Sequence, residues 1–412
     1  MRIRFLLLNA FTVGGTVRTV INQANSLADA GHDVEVVSVH RERRAPAFPL
    51  DPRIRLRPLV DGSADAPAWR RALERRMQRS PSRLVPPAEV RHDRFNRLTD
   101  RRLTRYLRSL DGGVLVTTRP ALNLLAARLA PTGVVRVAQE HLHYARHKPE
   151  LTREIDHWYR RLDAVAVLTG TDEEAYRRVL AGSGVRVERI PNALNDGDRT
   201  PSSLDGKLVV AAGRLVKAKG FDLLIKAFDR IVHDHPDWKL RIYGSGAERK
   251  KLRRLIHRKH LYNHVLLMGR TTRLEEELSK ASVFALSSRH EGFGMVLAEA
   301  MSHGVPVVSF DCPQGPREIV TDGEDGLLVP NGDVSALTGA LRRLIEDEPL
   351  RKDLGNRAAE SARRYDRASI RPRWEGLFTE LLDAKEAQGG ARGGGAPGPR
   401  GGAPPPPGPG VG

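Results

Sequence analysis

Apolar residues along this chain fall into two arrangements that take turns. Short unbroken apolar runs suit strands buried on both faces. They alternate with stretches whose apolar positions recur every three or four residues, as a helix with one buried face requires. Arg2–Leu8 is the first run. Gly14-Gly15-Thr16 follows it, then an amphipathic stretch from Val17 to Ala30 ended by Gly31, then a second run at Asp33–Val39. Helical periodicity returns at Trp69, Leu73 and Met77, and again at Phe95, Leu98, Leu103, Tyr106 and Leu110. Val114–Thr117, Val134–Ala138 and Ala164–Leu168 read as further strands. A second series starts at Lys207, with strands at Leu208–Ala212, Lys239–Tyr243, Val265–Met268, Val283–Leu286 and Val305–Ser309. Helices at Phe221–Val232, Glu248–Lys259, Leu274–Ser279 and Met295–His303 fall between them. Such alternation predicts an α/β architecture, with parallel sheets covered on both faces.

The interval 192–206 is rich in Asn, Asp, Gly, Pro and Ser and reads as a linker. It separates an N-terminal doubly wound domain (1–191) from a C-terminal one (207–364). Ligands in such sheets bind outside the carboxyl ends of the strands, and both domains can point those ends into one cleft. The last 25 residues (388–412) hold 11 Gly and 7 Pro without apolar periodicity. They are expected to be a disordered tail, which leaves a folded body ending near Ala387.

Charge adds a partner to this picture. The formal net charge is +18, and the segment Arg41–Arg108 alone carries 19 arginines, no lysine and 8 acidic residues. That concentration reads either as arginine serving as the general surface cation or as contact with an anionic acceptor or a membrane surface. Nucleic acid is not expected, because aromatic interleaving is poor and no nucleic-acid motif occurs. The single cysteine, Cys312, excludes an internal disulfide and agrees with a reducing compartment. No window approaches the roughly 20 apolar residues of a membrane span. Met1–Ala10 reads as a buried first strand rather than a signal peptide, since its apolar core is short and broken by Asn9. The expected location is cytoplasmic, at the inner face of the membrane.

Four stretches carry chemistry. Arg289-His-Glu-Gly-Phe-Gly-Met-Val-Leu-Ala-Glu299 follows a strand and opens a helix. Gly292 and Gly294 let backbone amides approach an anion at a helix N-terminus. Glu291 and Glu299 can touch separate parts of one extended ligand; the plain alternative is a tight turn and a solvated glutamate. Ala212–Phe221 also links strand to helix, and there Arg214 and Lys219 straddle the loop, able to clamp a pyrophosphate or to serve merely as surface cations. Gly14-Gly15-Thr16 permits positive φ and close backbone approach, but it is not GxGxxG, so a NAD domain is weakly supported. In Gln139–His147 the three histidines His141, His143 and His147 match no zinc spacing. A loop His or Glu there is a better candidate for substrate contact. Asp196-Gly-Asp198 lies in the linker and reads as a turn. No P-loop, GxSxG or HExxH appears.

Taken in order, these stretches resemble the family 4 glycosyltransferases, retaining enzymes of the GT-B fold, over nearly all of the chain except its tail. The E-x7-E pattern stands as Glu291 and Glu299, and the G-R-L-x-x-x-K-G loop as Gly213 to Gly220. Ile190-Pro191-Asn192 resembles the lead into the linker, Tyr243–Gly246 the nucleotide-side loop, and Asp322–Val329 the late D-G-x-x-G-L-L-V turn. Asp311–Ile319 resembles a subgroup that glycosylates wall polymers or lipid-linked glycans. Tyr365 to Leu382, with Trp374, resembles a C-terminal helix (365–387) that crosses back to the first domain.

The resemblance implies two Rossmann-like domains facing a cleft, and a nucleotide-sugar substrate, UDP-linked by expectation, with no metal or cofactor. By the same resemblance Glu291 binds donor-sugar hydroxyls, Glu299 the ribose, and Arg214 with Lys219 the diphosphate. Backbone at Gly292, Phe293 and Gly294, with Gly15 and Gly244, contacts the phosphates and nucleotide. His141 stands near the transferred sugar, with Glu140 as its alternative. No protein nucleophile is identified. A nucleotide-sugar epimerase of the same fold, a transferase for inositol-phosphate-type small molecules and a non-catalytic anion-binding protein are the competing readings.

Overall fold

The computed structural model describes residues 1–61, 68–195 and 199–393, with side chains left aside at 68–71 and 389–393. Asp196-Gly-Asp198 and residues 394–412 lie outside them. The first domain is built on β1 (Arg2–Leu7), β2 (Asp33–Arg41), β3 (Arg55–Asp61), β4 (Val114–Thr117), β5 (Val135–Gln139), β6 (Ala164–Val167) and β7 (Arg186–Arg189). All pair in parallel in the order β3-β2-β1-β4-β5-β6-β7. The apolar runs at β1, β2, β4, β5 and β6 sit where helices cover both faces. The sequence pattern misses β3 and β7 because both are edge strands. Arg-Leu-Arg-Pro-Leu-Val-Asp and Arg-Val-Glu-Arg have a half-exposed character, and Pro58 is tolerated at an edge.

The second domain carries β8 (Leu208–Ala212), β9 (Lys239–Tyr243), β10 (Val265–Gly269), β11 (Val283–Leu286), β12 (Val307–Asp311) and β13 (Gly326–Pro330). Their order is β10-β9-β8-β11-β12-β13, again parallel. Helices Val334–Glu346 and Glu348–Ala362 complete this half. The helix Arg367–Gly393 then returns to the first domain, where Ile370, Trp374, Leu377 and Phe378 enter the core beneath β1 and β5. Lys385 pairs with Asp163 there at 2.9 Å. This helix runs past the expected boundary at 387. Once nucleated and packed, a helix adds each further residue at small cost, even through glycine.

The two sets of strand carboxyl ends face each other. The amide of Gly170, after β6, donates to Glu318 Oε1 at 2.7 Å, and Arg189 pairs with the same carboxylate at 3.1 Å. Among the described residues, no helix is long and apolar enough to cross a membrane.

Candidate active site

The second domain's wall of the cleft is a lattice of backbone. Gly220 (φ 62) lies so near the loop after β11 that a Cβ would sit 1.9 Å from Ser287 O. Gly244 (φ 140) approaches Gly213 O equally closely, at 1.8 Å from its Cβ position. The amide of Gly244 donates to Gly269 O at 2.6 Å, so that N–H is committed within the protein. Leu215 N–H donates to Ser245 O and Glu248 N–H to Leu215 O, both at 2.9 Å. Arg289 ties the loops after β8 and β11 together, its guanidinium on both oxygens of Asp222 at 2.8 and 2.9 Å. Left-handed glycines and carbonyl contacts of this kind fix loop shape in a way no side chain could.

Side chains project from this lattice. Glu291 is buried, and its Oε1 accepts from the Ser288 hydroxyl at 2.5 Å and from the Lys219 ammonium. Lys219 therefore stands paired rather than free. Arg214 is exposed and has no ion-pair partner among the described residues. Gly294 (φ 94) opens the helix Met295–Ser302, and Phe293 is buried edge-on against Tyr365 at 5.8 Å. Gly315, after β12, lies against Phe293 O and keeps that segment in place.

Glu299 faces the first domain. Arg18 reaches across to it at 3.5 Å and to Glu275 at 3.5 Å. Burial pushes the Glu299 carboxyl upward, and Arg18 pulls against that rise. Arg18 was not singled out in the sequence, although a signal existed. A cation early in a helix opposes the macrodipole, so its presence there asks for a partner. Gly15 begins the same helix, Gly15–Asp29, which has no side-chain cap and no acidic residue in its first turn. The expected reason for glycine here is corrected. Gly14 has φ −174, Gly15 is not left-handed, and a Cβ at either would meet nothing within 4 Å. What lies above this turn is open space.

On the first domain's wall, His141 and Glu140 follow β5. The His141 Nε2 is buried without a hydrogen-bond partner, and burial pushes its imidazole down to about 4, so it is neutral. The His141 carbonyl lies 3.5 Å from the Cβ position of Gly292, so the two walls touch there. Glu140 Oε1 accepts from Asn123 at 2.7 Å and from the Tyr159 hydroxyl at 2.5 Å, while Oε2 has no partner. Burial raises its carboxyl to about 7 against those two hydrogen bonds. His143, which sequence reading did not favour, bridges the domains. Its Nδ1 lies 2.6 Å from Asp172 Oδ2 and its Nε2 2.8 Å from Glu291 O. The ring is thus held between an oxygen of its own domain and one of the other. Among the described residues, no three His, Cys, Asp or Glu side chains gather as a metal site.

The geometry thus brings together Lys219, Glu291, Gly292, Phe293, Gly294 and His141, and sets Glu299 beside the Gly15 helix. Two parallel-sheet domains with facing carboxyl ends, tied by a returning C-terminal helix, define the GT-B class. The chain belongs to the family 4 glycosyltransferases: a Glycosyltransferase Family 4 model matches residues 13–197 and a Glycosyl transferases group 1 model matches residues 195–361. It is 39% identical over 397 residues to an exopolysaccharide phosphotransferase of Streptomyces coelicolor, covering 94% of this chain and 41% of that protein. It is 27% identical over 279 residues to a poly(glycerol-phosphate) alpha-glucosyltransferase of Bacillus subtilis, covering 66% of this chain and 41% of that one. The chain therefore spans about two fifths of either relative's length. Its fold matches a crystal structure of an S. aureus TarM variant in complex with fondaparinux, alpha-GlcNAc-glycerol and UDP. The TM-score is 0.72 at 16% identity, over 92% of this chain and 99% of that one.

Proposed function

We propose that this chain is a retaining, metal-independent glycosyltransferase that moves a sugar from a UDP-sugar to an anionic or membrane-associated acceptor. The observation that carries the proposal is the Lys219–Glu291–Ser288 cluster at the carboxyl ends of β8 and β11, set opposite the unpartnered His141 nitrogen. One wall offers charge for a diphosphate and an acceptor for sugar hydroxyls. The other offers a neutral imidazole to the same sugar.

Breaking the bond from the anomeric carbon to the diphosphate oxygen leaves negative charge on the leaving group. Arg214, Lys219 and the amides at the start of the Met295–Ser302 helix stabilise it in place of a metal ion. Glu291, on releasing Lys219 to the diphosphate, accepts from donor-sugar hydroxyls, and Glu299 accepts from the ribose. Without a protein nucleophile, retention calls for attack from the leaving-group face, with the departing phosphate oxygen taking the acceptor's proton. Contact between the walls at His141 and Gly292 limits water. The name of the Bacillus relative and the UDP in the TarM complex support a sugar nucleotide as donor and a phosphate-rich polymer as acceptor. Leu73, exposed beside Arg75, Arg76 and Arg79, supports peripheral contact with an anionic membrane from a cytoplasmic location.

The test is a thermal-shift comparison of UDP and GDP, followed by UDP-sugars with and without poly(glycerol phosphate). Stabilisation by UDP, and sugar incorporation with the anomeric configuration of the donor, are expected. Formation of an epimer in the absence of acceptor would assign the site to an isomerase instead.

A further inference from the structure

The basic excess of the sequence is not confined to the segment where its composition concentrates it. In Arg41–Arg108 the charge is divided: Arg41, Arg53, Arg55, Arg57, Arg91, Arg94 and Arg102 each lie against a carboxylate, whereas others such as Arg75, Arg76 and Arg79 are exposed without an ion pair among the described residues. The helix Arg249–Arg258 is different. Its ten residues, Arg-Lys-Lys-Leu-Arg-Arg-Leu-Ile-His-Arg, include six Lys or Arg and no acid. Lys250, Arg253, Arg254 and Arg258 are all exposed and have no ion-pair partner among the described residues.

This arrangement works against the helix. Cations in its first turn oppose the macrodipole, and like charges four residues apart repel. Arg258, in the last turn, suits the dipole, but Lys250, Arg253 and Arg254 find no carboxylate among the described residues to offset their mutual repulsion. Lys250, Arg254 and Arg258 follow one another at intervals of four, which sets them on one face about 6 Å apart and about 12 Å end to end. A single phosphate cannot use such a row, whereas a chain of phosphates can. The row also has a direction. The helix begins at the rim of the cleft, where Glu248 N–H donates to Leu215 O, one residue from the unpaired Arg214. Arg270, whose Nε donates to Ser245 Oγ at 2.6 Å, stands at the same rim.

We propose that this helix is a docking track for a phosphodiester polymer, leading it to the donor side of the cleft. The proposal rests on the transfer reading above, in which that polymer is acceptor or product. A membrane fits the helix poorly. Leu252 and Ile256 are buried in the domain core with Leu255 packed against it, so no apolar face is left to enter lipid. Tyr262 and Met268, exposed beyond the helix, are isolated, and the Tyr262 ring is stacked on His257.

The test compares the full chain with a variant carrying Lys250→Gln, Arg253→Gln, Arg254→Gln and Arg258→Gln. Binding of labelled long-chain inorganic polyphosphate is measured by fluorescence anisotropy across a salt series. The variant is expected to bind at least about tenfold more weakly, with the slope of log affinity against log salt reduced by about three. Its thermal shift with UDP should match the parent's, which also reports that it folds. An Arg75→Gln, Arg76→Gln, Arg79→Gln variant should keep the parent's polyphosphate affinity. Unchanged polyphosphate binding in the first variant overturns the track, as does an equal loss in the second. So does a first variant that loses phosphatidylglycerol vesicles while keeping polyphosphate. If the parent shows no UDP stabilisation but the first variant still loses polyphosphate, the transfer reading fails and the track stands.

Discussion

The two walls of the cleft are built by different physics. The second domain's wall is a lattice in which loops after β8, β9 and β11 lock together through glycine and carbonyl contacts, and its working charges stand out from that frame. The first domain's wall is a set of buried titratable side chains, with Glu140 and His143 held by hydrogen bonds from Asn123, Tyr159 and Asp172 and the His141 Nε2 left without a partner. The lattice fixes position without fixing protonation. The buried cluster does the reverse, since its proton count and shape depend on each other. Donor chemistry on the second domain's wall and proton-sensitive contact on the first domain's are the division of labour this contrast supports.

The strongest challenge to the lattice is Gly244→Ala. The new methyl would stand 1.8 Å from Gly213 O in a backbone with φ 140, so one loop must move. A loss of at least about 4 kcal/mol is expected by chemical denaturation. A loss under about 1 kcal/mol would show the loops to be compliant. Glu291→Gln acts on chemistry instead. It removes the charge that holds Lys219, and UDP release from the UDP-sugar the parent turns over should fall on the order of 10²-fold, with UDP binding kept. Turnover within threefold of the parent would remove Glu291 from the reacting centre.

The contrast also explains what the sequence could reveal. Gly213 to Gly220, and Glu291 with Glu299, are short stretches whose spacing carries their geometry, so the second wall was readable from residues alone. Buried strands such as β1 and β11 were readable for the same reason: both faces are covered and the run is continuous. The first wall was not readable, because its meaning is tertiary. Nothing near Glu140 in sequence announces Asn123 or Tyr159, and His143 acquires its role only through Asp172 and the Glu291 carbonyl. Arg18 gave a weak signal, a cation against a helix dipole. A residue count of the arginine surplus cannot separate those in ion pairs, such as Arg41, Arg57 and Arg102, from those left exposed, such as Arg75, Arg76 and Arg79.

The buried cluster should dominate the pH dependence of stability. Glu140 has its folded-state pKa raised to about 7 from an ordinary 4.5, mainly by burial. Between those values the folded state binds more protons than the unfolded one, so its contribution to stability is full below 4.5 and is lost as pH rises through 7. The full loss is on the order of 3 kcal/mol. His141 runs the other way. Lowered to about 4 by burial, it contributes stability above pH 6.5 that is lost as pH falls toward 4. Glu140→Gln should remove the first effect and leave the second, so that stability rises from pH 4 to 6.5 and then stays level. A variant whose profile still declines toward pH 7 would place that proton elsewhere.

The smallest effects separate a residue that holds the wall from one that holds the ligand. Arg214→Ala touches an exposed side chain without an ion-pair partner, so stability should stay within about 0.5 kcal/mol. Affinity for UDP should fall about tenfold or more, as loss of a charge-assisted contact to phosphate predicts. Gly15→Ala is finer still. Its backbone is ordinary and its Cβ position empty, so unlike Gly244 it has no folding reason to be glycine. Alanine there should hold or raise stability by a few tenths of a kcal/mol. Its methyl would occupy the space above the uncapped helix where the phosphates are expected, so the UDP thermal shift should shrink. If that shift is unchanged, Gly15 belongs to the turn alone, and phosphate binding rests entirely on the second domain's lattice.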